Sequence, residues 1–279
     1  MGEKATPLCW QPPMAKLPTL THEAMATTFQ IVVAGEEPRY ARQVAAEAFA
    51  ELDRIEARLS RFAEGSDIFR INRLRPGEAT FVHHDTLECL RIAEEVRRDT
   101  AGAFDVAYGG KRYQEPFFLD EASHTVRVLA EGVRLDLGGI GKGFALDRMA
   151  ALLHEWETPS ALLCASTSTL LALDPPPGEE GWAVQLGVDE APKRLALANQ
   201  ALSASGTAVK GSHIIDPRTG RPAEDRLRAW AVAPAAAIAD ALSTAFMVMS
   251  SEEIRAYCRR FSASAHLLSP TGNACMHIP

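Results

Sequence analysis

The chain has 279 residues, of which 47% are hydrophobic and 23% are charged, an ordinary composition for a globular protein rather than a disordered one. Its formal net charge of −7 argues against broad nucleic-acid binding, which requires a basic surface. The five cysteines are odd in number and no two have C-x-x-C spacing, which argues against a zinc site or a disulfide scaffold. An anionic ligand is still compatible with this charge if backbone N–H groups, local cations or a metal offset the repulsion.

The first 20 residues contain four prolines and little periodicity. We therefore predict an extended lead-in over residues 1–20 and a single domain over residues 21–279. The start has no apolar signal-peptide core, and no stretch approaches the roughly 18 apolar residues of a transmembrane helix. The sequence as it stands predicts a cytoplasmic location, or a periplasmic one if a leader has been removed.

Hydrophobic periodicity predicts strands mixed with helices. The predicted strands are residues 28–33, 125–129, 133–137, 182–186, 229–233 and 264–268. The predicted helices are residues 40–61, 85–98, 142–154, 240–249 and 252–260, with a short helix capped by Ser66 between the first two. Because strands and helices do not alternate as regular βαβ units, we predict an α+β fold with a mixed sheet at its core.

The strongest functional signal is the glycine-rich segment RLDLGGIGKGFALD at residues 134–147. Four glycines fall within six residues, where a predicted strand ends and a helix begins. Glycines allow close approach of backbone to a ligand, and a helix N-terminus attracts an anion. Lys142 adds a positive charge, whereas Asp136 is suited to accept hydrogen bonds from a base or sugar. The segment fits neither common phosphate-binding motif, and a turn without a ligand is the alternative.

Three further segments carry reactive side chains. Asp240 and Thr244 are four residues apart, hence on one helix face, and offer hard oxygen ligands for magnesium or calcium. The alternative is that Asp240 caps the helix. In the turn at residues 212–222, His213 is a candidate general base and Arg218 a candidate phosphate contact, unless both are structural. The segment GAFD at residues 102–105 either frames a heterocycle or anchors a loop.

Taken together and in order, these segments resemble the ApbE-type flavin transferases, the family of FAD:protein FMN transferases. The resemblance extends from residue 24 to residue 249. It includes AMATTF at residues 24–29, LSRF at 59–62, SDIFRIN at 66–72, GAFD at 102–105, the glycine-rich segment, and the blocks at 213–220 and 240–244. It implies an ApbE-like, T-fold-related fold in which the ligand lies in a cleft between subdomains.

The resemblance also implies roles for individual residues. Magnesium would be held by the Gly139 carbonyl, Asp240 and Thr244. Asp240 and His213 would be the catalytic residues, with His213 accepting the proton of a Ser or Thr hydroxyl on an acceptor protein as that hydroxyl attacks the FMN-side phosphorus and AMP leaves. FAD, the substrate, would be bound by Met25, Phe62, Ala103, Phe104, Asp105, Asp136, Lys142 and Ile215.

Several positions depart from the family pattern. Ala26 replaces a glycine, and Phe62 stands where tyrosine is common. Ser166 and Thr167 stand where Gly-Gly is usual. Their side chains either narrow the space for the ligand or acceptor, make new contacts with the ligand, or form hydrogen bonds with backbone groups of a turn. Three hypotheses follow: a working transferase, an FAD-binding member without transferase activity, and a magnesium-dependent FAD pyrophosphatase.

Overall fold

The computed structural model describes residues 9–10, 17–109, 115–186, 193–207, 214–270 and 275–279. The helices in these ranges are α1 (Pro38–Leu59), α2 (Asp67–Ile71), α3 (His84–Asp99), α4 (Gly141–Glu155), α5 (Ala236–Ala245) and α6 (Ser251–Arg260). The strands are β1 (Cys9–Trp10), β2 (Thr19–Ala24), β3 (Thr27–Val33), β4 (Ala79–Phe81), β5 (Ala107–Tyr108), β6 (Phe117–Asp120), β7 (Thr125–Val128), β8 (Arg134–Leu135), β9 (Ala161–Ala165), β10 (Thr169–Ala172), β11 (Trp182–Leu186), β12 (Lys193–Leu197), β13 (Gln200–Gly206), β14 (Arg228–Ala233), β15 (Ser264–Leu268) and β16 (Cys275–Ile278).

An eight-stranded antiparallel sheet, in the order β16-β15-β14-β13-β10-β9-β3-β2, organises the fold. Side chains alternate between its two faces, as the pleat of a strand requires. On β3, Phe29, Ile31 and Val33 face the core shared with the helices. Val32 points the other way, into a second core that also contains Trp182 of β11. The site described below lies between the first face and the helices.

The α+β prediction is confirmed, and the predicted strands and helices all form. The strands predicted at residues 182–186 and 264–268 have the bounds of β11 and β15, and most other elements differ from prediction by one to three residues at their ends. The exception is α5, which begins at Ala236 and ends at Ala245, four residues earlier at each end than predicted. The sequence patterns did not predict strands β1, β2, β4, β5, β6, β9, β10, β12, β13 and β16. Across the described ranges, no helix has both the length and the apolar character needed to cross a membrane.

Candidate functional site

Helices α4 and α5 cap each other. Neither helix has a side-chain hydrogen bond from its own N-cap residue, Ile140 or Ala235. Asp147 of α4 instead accepts hydrogen bonds from the backbone N–H groups of Ala236 and Ala237, at 2.7 and 2.8 Å. In return, Asp240 of α5 accepts from the Gly143 N–H in the first turn of α4, at 3.2 Å. Each helix thus supplies an acceptor for the otherwise unsatisfied N-terminal donors of the other.

This exchange depends on a close approach at Gly143. A Cβ atom at that position would lie 2.1 Å from the carbonyl oxygen of Ala236, closer than atoms pack. Glycine is therefore required to bring the start of α4 against the start of α5. The position of Asp240 also corrects one sequence interpretation, the alternative that this residue caps its own helix. It lies one turn inside α5 and is buried.

The Asp240 carboxylate is surrounded by four donors from three elements, β10, β13 and α4. Oδ1 accepts from the hydroxyls of Thr169 on β10 and Ser203 on β13, both at 3.1 Å. Oδ2 accepts from Gly143 N–H, and the Lys142 ammonium lies 3.3 Å from Oδ2 and 3.4 Å from Oδ1. These contacts stabilise a buried carboxylate that would otherwise be costly to remove from water.

Thr244 belongs to a chain of hydroxyl groups. Its Oγ1 lies 3.2 Å from Ser205 Oγ, which lies 2.8 Å from Ser243 Oγ, which donates to the Asp240 carbonyl at 2.9 Å. If each hydroxyl donates to the next, the chain ends on a carbonyl that needs no further donor. In that arrangement the Thr244 proton is donated to Ser205, and the lone pairs of Thr244 Oγ1 are available to a ligand.

Gly139 brings the glycine-rich turn to the same place. A Cβ at Gly139 would lie 3.3 Å from Thr244 Oγ1 and 3.2 Å from the ring of Phe104, so the turn lies directly against both side chains. Phe104 itself is buried. Lys142 also donates to the Gly138 carbonyl at 3.3 Å, which ties the turn to Asp240. Within the described parts of the chain, no three His, Cys, Asp or Glu side chains are grouped to hold a metal, so any cation here would rely on one carboxylate with hydroxyl and carbonyl oxygens.

Asp136 marks an exposed rim beside the turn. One of its oxygens accepts from Gly138 N–H at 2.9 Å, and the other lies 3.4 Å from Arg61. Arg61 stacks on the Phe62 ring at 4.4 Å and donates to the Tyr108 hydroxyl at 3.3 Å. Phe62 is 74% exposed, which leaves an aromatic face free for a planar ligand.

Asp105 follows the buried pair Ala103 and Phe104. It accepts from Ala107 N–H at 2.8 Å, but burial is the larger influence and raises the pKa of Asp105 to about 6. A carboxyl group with a raised pKa near a candidate ligand site is a recurrent feature of functional sites. The segment GAFD therefore both anchors the turn, through Phe104, and presents a titratable group.

Met25 and Ile215, two other residues predicted to bind FAD, lie on turns. The contacts described for these two turns do not connect them to Asp240. Met25 and Ala26 form the tight turn between β2 and β3 with φ of 50° and 56°, and Met25 N–H donates to Glu56. Ala26 thus retains a left-handed conformation that favours glycine. Ile215 is 45% exposed and pairs with Pro222.

The turn after Ile215 does not present a free phosphate contact. The guanidinium of Arg218 binds Asp216, Glu253 and the Val248 carbonyl, at 2.7 to 3.1 Å. These partners favour a structural role for Arg218. His213 lies outside the described residues.

The departure at residues 166–167 keeps the backbone shape that glycine would allow. Ser166 has φ of 54°, and its N–H donates to the Thr28 carbonyl at 2.7 Å. Both Ser166 and Thr167 are exposed in the turn between β9 and β10. Their side chains are therefore in contact with solvent at this turn, whereas Thr169, at the start of β10, faces the site through its hydrogen bond to Asp240.

Sequence reasoning missed several members of the cluster. The signal for Asp147 was present at the end of the glycine-rich segment, but its partners are about 90 residues away in sequence. The hydroxyls on β10 and β13 lie in buried strands, where a Ser or Thr in sequence carries no distinguishing pattern. The missed residues are Asp147, Thr169, Ser203, Ser205 and Ser243.

Comparison with known proteins places this arrangement in a family. The ApbE family model matches residues 25–268. A relative from Buchnera aphidicola subsp. Schizaphis graminum, named FAD:protein FMN transferase, is 20% identical over 264 aligned positions, which cover 80% of this chain and 78% of the relative.

Two solved structures share the fold. The flavin transferase ApbE from Vibrio cholerae superposes with a TM-score of 0.82 at 20% identity, and the ApbE protein from Thermotoga maritima with 0.79 at 25% identity. Each superposition covers 94% of this chain and 96% of the other. Because the family model spans the glycine-rich turn, both mutually capped helices and most of the central sheet, this chain belongs to the ApbE family.

Proposed function

We propose that the chain is a magnesium-dependent FAD:protein FMN transferase, which moves FMN from FAD to a Ser or Thr hydroxyl of an acceptor protein and releases AMP. The observation that carries the proposal is the convergence of Lys142, Asp240 and Thr244 on the glycine-rich turn. The activity is the one in the name of the Buchnera aphidicola relative. FAD and an acceptor protein are the partners this reaction requires.

The oxygen donors fit magnesium. Magnesium is commonly held by one or two carboxylates together with substrate phosphates and water, rather than by a cage of protein ligands. The one carboxylate here is Asp240, with the hydroxyl of Thr244 and the carbonyl of Gly139 as the other proposed ligands. A Cβ at Gly139 would lie 3.3 Å from Thr244 Oγ1 and would occupy part of the space where we place the cation. Bound there, magnesium would neutralise pyrophosphate charge and polarise the phosphorus.

The remaining residues bind and orient FAD in this proposal. Phe62 offers an exposed ring for stacking, and Asp136 offers a half-exposed carboxylate for a base or sugar. Lys142 supplies a positive charge for the phosphates. Met25, Ala103, Phe104, Asp105 and Ile215 complete the proposed FAD contacts.

The reaction needs positioning more than covalent participation by the enzyme. The acceptor oxygen forms a bond to the FMN-side phosphorus as the bond from that phosphorus to the bridging oxygen breaks. AMP leaves with the bridging oxygen, and the acceptor hydroxyl loses its proton. His213 is our candidate for accepting that proton.

Incubation with FAD, magnesium and Ser- or Thr-containing peptides tests the proposal. We expect covalent FMN on a peptide, detected by mass spectrometry, with equal release of AMP, and loss of both in excess EDTA. AMP without labelled peptide would indicate a pyrophosphatase instead. FAD binding without AMP would indicate a binding protein, and turnover unaffected by EDTA would contradict the metal.

A further inference from the structure

The Asp240 carboxylate already has a cation beside it. A carboxylate offers about four lone-pair positions. The Gly143 N–H and the Thr169 hydroxyl take two of them, and the single proton of Ser203 is shared between Asp240 Oδ1 at 3.1 Å and the Ser168 carbonyl at 3.2 Å. The Lys142 ammonium spans both oxygens at 3.3 and 3.4 Å, so a metal that binds Asp240 from this side must displace it.

Lys142 is the donor that can leave. Gly143 N–H is fixed by the backbone of α4, and Thr169 and Ser203 lie on neighbouring buried strands and contact each other at 2.9 Å. The lysine side chain is flexible and 23% exposed, whereas that of Asp240 is 5% exposed. The Lys142 ammonium also contacts the Gly138 carbonyl. It therefore lies between the glycine-rich turn and α5, where the proposed magnesium would bind.

We propose that Lys142 is a resident cation that neutralises Asp240 in the free enzyme, is displaced by the divalent ion, and then pairs with the phosphates of the dinucleotide. The inference rests on the proposed function. It extends that function by giving one side chain two successive anionic partners.

The exchange couples metal binding to dinucleotide binding. With the metal alone, the displaced ammonium lies beside a divalent cation and has no anionic partner, so the metal binds against repulsion. With FAD present, the ammonium gains the pyrophosphate. Each ligand therefore raises the affinity for the other, and the coupling is reciprocal.

The test compares Lys142→Met with Lys193→Met, which removes an exposed lysine at the start of β12. Mn²⁺ replaces magnesium, and its binding is followed by electron paramagnetic resonance, with and without FAD. We expect Lys142→Met to bind Mn²⁺ alone about tenfold more tightly than wild type, since a tenfold ratio corresponds to about 1.4 kcal/mol, close to the lower limit for a hydrogen bond to a charged group. FAD should enhance Mn²⁺ binding in all three proteins, because its phosphates are themselves metal ligands, but the enhancement should be about tenfold smaller in Lys142→Met than in wild type and Lys193→Met.

Equal or weaker Mn²⁺ binding by Lys142→Met, beside normal binding by wild type, would overturn the inference and leave the proposed function standing. Absence of Mn²⁺ binding in wild type with FAD present would overturn both. If Lys142→Met does not fold without metal, Lys142→Gln tests the charge alone, because its amide is a neutral donor; it too should bind Mn²⁺ alone more tightly than wild type.

Discussion

Asp147 and Asp240 hold similar positions in facing helices, yet their surroundings differ. Asp147 receives two backbone N–H groups and no other hydrogen bond in the described structure, and burial raises its pKa to about 6. Asp240 receives hydroxyls and an ammonium in addition to a backbone N–H. Two N–H donors are what a helix start needs from a cap. The ammonium that already lies against Asp240, together with the oxygens of Thr244 and Gly139 beside it, is what distinguishes a candidate cation site from a cap.

We expect the largest effect when each of the two carboxylates is replaced by an amide. Asp240→Asn should lower AMP release more than about 100-fold, because loss of a direct anionic ligand should exceed the 10–100-fold effects of outer-shell changes. Asp147→Asn should keep AMP release within about tenfold of wild type. Steady-state assays with FAD and magnesium measure both. Similar losses in the two variants would erase the distinction between cap and cation site.

The close helix contact is tested by Gly143→Ala, with Gly141→Ala as its control. The new methyl group at Gly143 would collide with the Ala236 carbonyl, so we expect a loss of about 3 kcal/mol in the free energy of unfolding. At Gly141 the nearest atom is an ordinary contact at 3.7 Å, and alanine should be neutral or stabilising by up to about 1 kcal/mol. Urea denaturation measures both, and a tolerated Gly143→Ala would contradict the tight capping geometry.

The cap has a pH signature of its own. Because the pKa of Asp147 is about 6 in the folded chain against an ordinary 3.8, the folded state holds a proton between these values that the unfolded state has lost. The stabilisation that this retained proton gives to the folded state is therefore present below about pH 4 and is lost as the pH rises through 6. Between pH 4 and pH 7, the free energy of unfolding of Asp147→Asn should rise by about 1–3 kcal/mol relative to that of wild type. Urea unfolding at each pH measures this difference. A constant difference across this range would mean that the folded pKa is not raised.

The smallest effect should come from the hydroxyl chain on the Asp240 side. Ser205→Ala removes the acceptor beside Thr244, so the Thr244 lone pairs are no longer directed, and Mn²⁺ affinity should fall about tenfold. Ser123→Ala is the control, since it removes a hydroxyl that pairs with a neighbouring hydroxyl, that of Thr125, on an exposed turn. Unchanged Mn²⁺ binding in Ser205→Ala would show that the Thr244 hydroxyl does not depend on Ser205 for its orientation.

Sequence patterns alone predict the helices and strands whose signals lie within a short stretch of chain. Apolar residues at helical spacing indicated α1, α3 and α4, and a β-branched run indicated β3. The start of α5 was placed four residues late because its N-cap is Ala235, which gives no capping signal. The acceptor that permits the helix to begin there is Asp147, on a different helix. Sequence patterns report neighbours along the chain, and this neighbour is 89 residues away.

The sequence by itself determined the fold class, the glycine-rich turn, and the helical pairing of Asp240 with Thr244, because each depends on residues within a few positions of one another. Only the tertiary structure decided that Lys142 faces Asp240, that Thr169 and Ser203 share its carboxylate, and that α4 and α5 cap each other. Buried polar groups must find partners wherever the chain brings donors and acceptors together. Those partners come from strands and helices distant in sequence, so packing alone selects them.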